Sequence, residues 1–128
     1  MTDIRKELPA DPSAAALARE MLDGWLTADV GERAANDVRL ATTELISNAL
    51  RHGGLGPDDL IVLSGSIDDV ADVVTIFVEQ RTAITRATVQ PMRPATESGM
   101  GLRIVESVAN RWGVHQGPPG VVWFEVDR

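Results

Sequence analysis

Apolar residues recur with helical spacing in two segments of the first half of the chain. After Asp11-Pro12, a capping carboxylate and a proline suited to the first helical position, hydrophobic side chains follow the i, i+3, i+4, i+7 pattern of an amphipathic helix. This helix is predicted to end near Gly24 to Thr27. A second, longer helix is predicted from about Glu32 to His52, because the Gly53-Gly54 pair that follows favours a left-handed C-cap.

The second half of the chain is typical of short strands. Runs rich in β-branched residues lie on either side of turn-forming sequences, Asp68-Asp69 in one case and Gly117-Pro118-Pro119-Gly120 in the other. Two antiparallel hairpins are therefore predicted. Their strands are Leu60–Leu63 with Val73–Val78, and Gly113–Gln116 with Val121–Val126.

Between the hairpins, residues 81 to 100 show little periodicity and predict a loop of about twenty residues. A loop of that length in a compact domain is typically a lid or a binding loop. Ser98 to Gly101 close it, and the apolar positions that follow predict a third helix up to about Arg111.

This order of elements predicts an α+β fold, in which helices cover one face of a mostly antiparallel sheet and the other face meets water. The chain has 128 residues, which fits a single domain spanning 1–128.

The composition of the chain argues against several classes of protein. The formal charge of −7 disfavours direct nucleic-acid binding, and the absence of cysteine excludes disulfides and thiolate catalysis. The charged segment Met1 to Leu8 does not resemble a signal peptide, and no apolar stretch is long enough to span a membrane. We therefore expect a cytoplasmic protein without membrane contact.

Candidate chemistry lies on the second predicted helix. Glu44, Asn48 and His52 are spaced four residues apart and so fall within about 80° of arc on one side of the helix. Apolar residues occupy the adjoining arc, which places this stripe at the rim of the core. The Asn48 carbonyl suits a Mg²⁺ ion that keeps its phosphate and water ligands, and Glu44 could take a proton from an attacking hydroxyl.

Phosphates need backbone donors, and Gly99-Met100-Gly101 at the start of the third helix offers N–H groups together with the helix dipole. Taken separately, each signal also fits a structural role. The stripe is compatible with an ordinary polar helix edge, and a lone Gly-x-Gly with an ordinary turn. Their order along the chain is what favours a nucleotide site.

That order resembles a known family. Residues 44–52 resemble the N-box of the histidine-kinase-like (GHKL) ATPase superfamily, and residues 99–105 resemble its second glycine box. The chain is most similar to the small anti-sigma-factor serine kinases, because of its compact size and three further segments: Leu8-Pro9-Ala10-Asp11, Ala109-Asn110-Arg111-Trp112-Gly113-Val114 and Gly120-Val121-Val122-Trp123-Phe124-Glu125.

The resemblance implies a Bergerat-type two-layer α/β sandwich that binds ATP and Mg²⁺. It implies a protein serine/threonine kinase that phosphorylates a serine on an anti-sigma-factor antagonist and alternately binds a sigma factor. A homodimer is a further candidate assembly. By position, Glu44 would be the catalytic base and Asn48 the Mg²⁺ ligand. The nucleotide would be held by Asn48 together with Gln80, Gly99, Met100, Gly101 and Leu102.

Two positions depart from the family pattern on the adenine side. Gln80 stands where the family has an aspartate, and Val121 aligns with a threonine. A glutamine can still accept a hydrogen bond from an adenine amino group, as it does in base-edge recognition. These departures leave a second hypothesis open: a degenerate ATPase-fold module with weak or no nucleotide binding that acts only through protein binding.

Overall fold

The computed structural model describes residues 2–26, 30–84 and 97–128, and the side chains of these residues other than 2 and 97–101. Its regular elements, in chain order, are β1 (Thr2–Pro9), α1 (Ala14–Trp25), α2 (Glu32–His52), β2 (Leu60–Asp68), β3 (Val73–Gln80), α3 (Glu97–Val108), β4 (Arg111–His115) and β5 (Gly120–Asp127).

The five described strands form one open sheet in the order β1-β2-β3-β5-β4, and all neighbouring pairs are antiparallel. Both predicted hairpins are present, β2 with β3 and β4 with β5. The register places Gln80, the last residue of β3, opposite Ile61 on one side and Gly120 on the other. Gln80 therefore lies at the end of the central strand, β3.

The two faces of the sheet differ, because strand side chains alternate between them. Every second residue of β2, β3 and β5 is buried, and these side chains form one core with the helices. Helix α2 packs against α1, α3 and the sheet. On the other face Phe77 is 42% exposed. The predicted α+β fold, with helices on one face of an antiparallel sheet, is confirmed.

The N-terminal strand β1 was not predicted from the sequence. It pairs with β2 over its whole length, although its described side chains before Leu8 are mostly charged and exposed. An edge strand with one covered face needs few apolar residues, and charged residues on an edge discourage pairing with other chains. Residues 2–9 therefore become a strand because they pair with β2, and this pairing exists only in the folded protein.

The third helix ends earlier than predicted. α3 stops at Val108, and Arg111 opens β4 instead of closing a helix. The backbone N–H of Asn110 donates to the carbonyl of Glu125, and the Asn110 side-chain oxygen accepts from the N–H of Asp127. These hydrogen bonds attach Asn110 to β5 and so direct the chain from α3 into β4. α3 begins at Glu97, inside the predicted loop, whose residues 85–96 lie outside the described part of the chain.

In the part of the chain that the structure describes, no helix combines the length and the apolar composition needed to cross a membrane.

Candidate functional site

The polar stripe on α2 lies at the edge of the core, as its spacing predicts. Asn48 is only 2% exposed, whereas Glu44 and His52, one turn to either side, are half-buried. The apolar residues of the adjoining arc are all buried: Val38, Ala41, Leu45, Ile46 and Ala49. Because the helix is anchored by that arc, the three polar side chains are held at fixed positions along one line.

Two atoms of this stripe are buried without a hydrogen bond. The side-chain oxygen of Asn48 and the Nε2 atom of His52 have no partner among the described residues. Leaving a buried polar atom unpaired costs roughly 1–3 kcal/mol, so such an atom points to a ligand or to a residue beyond the described set. The Asn48 oxygen is a neutral, hard donor of the kind that Mg²⁺ accepts.

Glu44 is reached from the surface through a groove of about 360 Å³ between α1 and α2. The groove is lined by one residue of α1 and several of α2: Arg19, Asn36, Arg39, Leu40, Thr43 and Glu44. Leu40 is 44% exposed, and Arg39 is fixed by an ion pair of 2.7 Å with Asp23. The Glu44 carboxylate is thus accessible to a protein segment lying along these helices.

The position of Gln80 is set by a buried hydrogen-bond network at the end of β3. Its side chain is 5% exposed, and its amide nitrogen donates to the Thr82 hydroxyl at 3.0 Å and to the Ala83 carbonyl at 3.4 Å. The Thr82 hydroxyl in turn donates to the carbonyl of Gly53, the residue that follows α2. This network connects the end of β3 to the end of the helix that carries Asn48.

The segment after Gln80 is fixed by backbone and ion-pair contacts as well. The backbone N–H of Gly120 donates to the Thr82 carbonyl, and that of Ile84 donates to Gln116. Arg81 forms a two-point ion pair with Asp59, at 2.6 and 2.9 Å. The Arg81 guanidinium, together with the N–H of Gly56, lowers the pKa of Asp59 from 3.8 to about 2. Thr82 was not singled out in the sequence, where only its spacing of two residues from Gln80 could have indicated it.

Val121 points away from this region. In β5 its neighbours Gly120 and Val122 are buried on the helix side, whereas Val121 is half-buried and pairs with Glu79 across the open face. A threonine at this position would likewise face away from α2, since side chains alternate along a strand. The lack of a hydroxyl at Val121 therefore removes no polar group from the stripe's side of the sheet.

The structure describes the backbone, but not the side-chain environment, of the glycine segment at residues 99–101. Gly99, Met100 and Gly101 belong to the first turns of α3, and only their backbone is among the described parts of the chain. Because α3 begins at Glu97, both glycines are inside the helix and not in front of it. Leu102 is fully buried in the core. Its side chain anchors the start of the helix, which leaves any phosphate contact to backbone groups.

A family model described as the histidine kinase-like ATPase domain matches residues 8–123, nearly the whole chain. The chain belongs to this family. No curated protein matches it.

The fold of this ATPase-family chain recurs in solved structures. The structure of the RsbU and RsbW domains of Rv1364c from Mycobacterium tuberculosis matches with a TM-score of 0.73 and 20% identity, covering 99% of this chain and 32% of that one. The Erythrobacter litoralis EL346 blue-light activated histidine kinase matches with a TM-score of 0.56 and 19% identity, covering 73% of this chain and 30% of that one. The histidine kinase domain of the same protein matches with a TM-score of 0.57 and 16% identity, covering 92% of this chain and 60% of that one. This chain thus spans about a third of the length of the Mycobacterium chain that it matches.

Domains of this family bind ATP, usually with Mg²⁺. The side chains present here fit that pair of ligands at the metal end, where the buried Asn48 oxygen has no partner among the described residues. Gln80, the residue expected to face the base, is buried at the end of β3, which contacts α2. The donors needed by the phosphates would come from the start of α3.

Proposed function

We propose that this chain is an ATP-dependent protein serine kinase of the anti-sigma-factor type, which phosphorylates a serine on an antagonist protein and also binds a sigma factor. The observation that carries the proposal is that the buried Asn48 oxygen has no partner among the described residues, while Glu44, one helical turn away, lines an open groove. A metal ligand benefits from a buried oxygen, and a base that receives a proton from another protein must be reachable from the surface.

In this proposal Asn48 binds the metal ion and Glu44 acts as the base. The Asn48 oxygen would hold Mg²⁺, which when bound would supply positive charge to the phosphates. Glu44 accepts the proton of the partner's serine hydroxyl as that oxygen bonds to the γ-phosphorus. The bond between the γ-phosphorus and its bridging oxygen breaks, and ADP leaves with the electron pair.

The groove between α1 and α2 supports a protein as the acceptor. A serine carried by a protein segment could reach Glu44 along this groove, which combines exposed Leu40 with the arginines Arg19 and Arg39. Such mixed apolar and charged linings suit protein contacts. The fold shared with the RsbW-containing Mycobacterium protein is compatible with this acceptor class.

The partners and the setting belong to the same proposal. The partners are an anti-sigma-factor antagonist and a sigma factor, and the setting is the cytoplasm, with no direct nucleic-acid contact. A homodimer is one candidate assembly. The chain's net charge of −7 is consistent with protein partners and unfavourable for nucleic acid.

A second candidate is a protein-binding regulator that keeps the fold but binds nucleotide weakly or not at all. One observation favours it: the Gln80 amide already bonds to Thr82 and Ala83, so part of its hydrogen-bonding capacity is used within the chain. Under this alternative the groove beside Glu44 would serve binding alone.

Isothermal titration calorimetry with ATP separates the two candidates. The kinase proposal expects saturable binding that requires Mg²⁺ and disappears when EDTA is added. Absence of heat at millimolar ATP with excess Mg²⁺ would contradict the kinase and favour the regulator. The non-hydrolysable analogue AMP-PNP, titrated in parallel, shows that the heat comes from binding and not from hydrolysis.

A further inference from the structure

We propose that the open face of the sheet, the face opposite the helices, is a docking surface for a protein segment that presents lysine or arginine side chains together with apolar ones. This surface lies on the far side of the sheet from α2, so the inference does not depend on the proposed nucleotide binding. It follows from an aromatic pair at the centre of the open face and from the carboxylates around that pair.

Phe77 and Trp123 form the aromatic pair. They lie directly opposite each other on β3 and β5. Phe77 is 42% exposed, and the Trp123 ring covers Gly113 of β4, where an added Cβ would lie 2.8 Å from the ring. Exposed aromatic rings in the middle of a sheet offer apolar area to a partner, and the faces of such rings attract cations.

Shallow grooves lie on both sides of Phe77. The larger groove, of about 560 Å³, extends from Phe77 to Asp68 at the end of β2 and to Glu125 of β5. The smaller groove, of about 240 Å³, lies over Ser64 and Ser66 of β2. Because the serine side chains are short, the Phe77 ring stands above its surroundings. Side chains of a docked segment can therefore extend on either side of the ring.

The charges on the open face are predominantly negative. The described strand positions of this face carry six carboxylates and two arginines: Asp3, Glu7, Asp68, Glu79, Glu125 and Asp127, with Arg5 and Arg111. Arg111 forms ion pairs with Glu125 and Asp127. Glu79, two residues from Phe77 on β3, makes no ion pair with another described residue. An acidic excess beside an aromatic pair is complementary to a basic, partly apolar partner.

The same charges disfavour other occupants. Two copies of the chain stacked face to face would set the carboxylates of one copy against those of the other, and like charges across an interface repel. Anionic lipid headgroups and nucleic-acid phosphates would be repelled as well.

The size of the open face suits a protein partner. Strands about 4.8 Å apart, most of them eight residues long, give this five-stranded face an area of roughly 600 Å². A partner that covers it would bury roughly 1,200 Å² in total, the lower end of the range for specific complexes. A single small cation would leave most of the aromatic pair and its grooves uncovered.

Two labelled helical peptides test the inference by fluorescence anisotropy. They have the same length and the same leucine pattern, but one has lysine and the other glutamate at every polar position. The wild-type chain should bind the lysine peptide at least about tenfold more tightly, and added salt should weaken this binding. Phe77→Thr, which keeps a strand-forming residue, and Glu79→Lys should each weaken it by at least about tenfold.

Two variants in the helix layer are matched controls. Leu40→Gln removes an apolar side chain whose exposure, 44%, is close to the 42% of Phe77. Glu106→Lys makes the same change of charge as Glu79→Lys at an exposed position of α3. Both controls should bind the lysine peptide within about threefold of the wild type, because they lie on the other side of the sheet.

Circular dichroism confirms that each variant is folded, and the wild-type comparison of the two peptides stands without any variant. Equal affinity for both peptides, or no binding of the lysine peptide, would overturn the inference. So would a loss in Glu106→Lys as large as that in Glu79→Lys, because the peptide would then respond to overall charge. A wild-type dimer that Phe77→Thr dissociates in sedimentation equilibrium would assign the face to a second copy and also overturn it. The titration with ATP tests the kinase proposal separately.

Discussion

Arg81 and Asp59 are joined by two hydrogen bonds, from Nε at 2.6 Å and from a terminal nitrogen at 2.9 Å, to the two oxygens of one carboxylate. The pair links the residue after Gln80 to the loop between α2 and β2, whose Gly56 N–H also donates to Asp59. A two-point arginine contact restricts orientation as well as distance. The segment that follows Gln80 is therefore attached to the fold on the side away from β5.

This pair predicts a pH dependence of stability. The pKa of Asp59 is lowered from 3.8 to about 2 in the folded protein, chiefly by Arg81. Its stabilisation is fully present above the unfolded pKa and is lost as the pH falls from about 4 toward 2, because the unfolded chain takes up the proton first. The urea midpoints of wild type and Asp59→Asn should differ equally at pH 7 and 5, and less at pH 3. A difference that does not change with pH would show that the charge is not the cause.

Replacing Glu44 by glutamine should separate chemistry from binding. The amide keeps the shape of the side chain but cannot take the serine proton, so phosphotransfer should fall at least about a hundredfold. ATP affinity should remain within about threefold, because the proposed mechanism gives Glu44 no role in holding the nucleotide. Phosphate transfer is measured with radiolabelled ATP and the purified antagonist. If calorimetry shows that Glu44→Gln weakens ATP binding as strongly as the loss of Asn48, the division of roles is wrong.

Asn48→Ala should remove the Mg²⁺-dependent part of ATP affinity, a loss of at least about tenfold or ~1.4 kcal/mol. The physical reason is that the Asn48 oxygen is buried without a partner among the described residues and serves as the proposed ligand. Asn48→Asp is the matched control, because it keeps an oxygen at the same place and should retain Mg²⁺ dependence. Calorimetry with and without EDTA measures the Mg²⁺ dependence of ATP affinity in each variant. Mg²⁺ dependence that persists in Asn48→Ala would move the metal site elsewhere.

Gly65→Ala should destabilise the fold by about 1–3 kcal/mol, since it overpacks a contact between helix and sheet. A Cβ on Gly65 would lie 2.6 Å from the Trp25 ring and 3.1 Å from Ile76. Trp25 is the last residue of α1 and is nearly buried, so the contact sets how close that helix lies to β2. The change is measured from urea unfolding.

Gly24→Ala is the control for the preceding substitution. It lies one residue before Trp25, and a Cβ there meets no atom within 4 Å. In a helix this change should be neutral or stabilise by roughly 0.5–1 kcal/mol. Equal destabilisation by both substitutions would indicate that backbone conformation, and not the Trp25 contact, limits residue 65.

The candidate site was partly readable from the sequence. Helical spacing placed Glu44, Asn48 and His52 on one rim, and their burial agrees, because the apolar arc of α2 fixes its rotation against the core. The Gln80 network was not readable, since it brings together residues 53 and 80–83. The sequence also suggested that Val121 matters for the base, whereas strand alternation puts it on the open face.

The sequence by itself determined α2 from Glu32 to His52, the two hairpins and the family, because these depend on local periodicity, turn residues and motifs within short segments. Only the tertiary structure decided the strand β1, the early end of α3 at Val108 and the orientation of the Gln80 amide. β1 and the chain after α3 bond to strands distant in the sequence, and the Gln80 amide is oriented by Thr82, whose hydroxyl donates to the distant Gly53 carbonyl. Local preference cannot decide them, because the partner is known only after the sheet has formed.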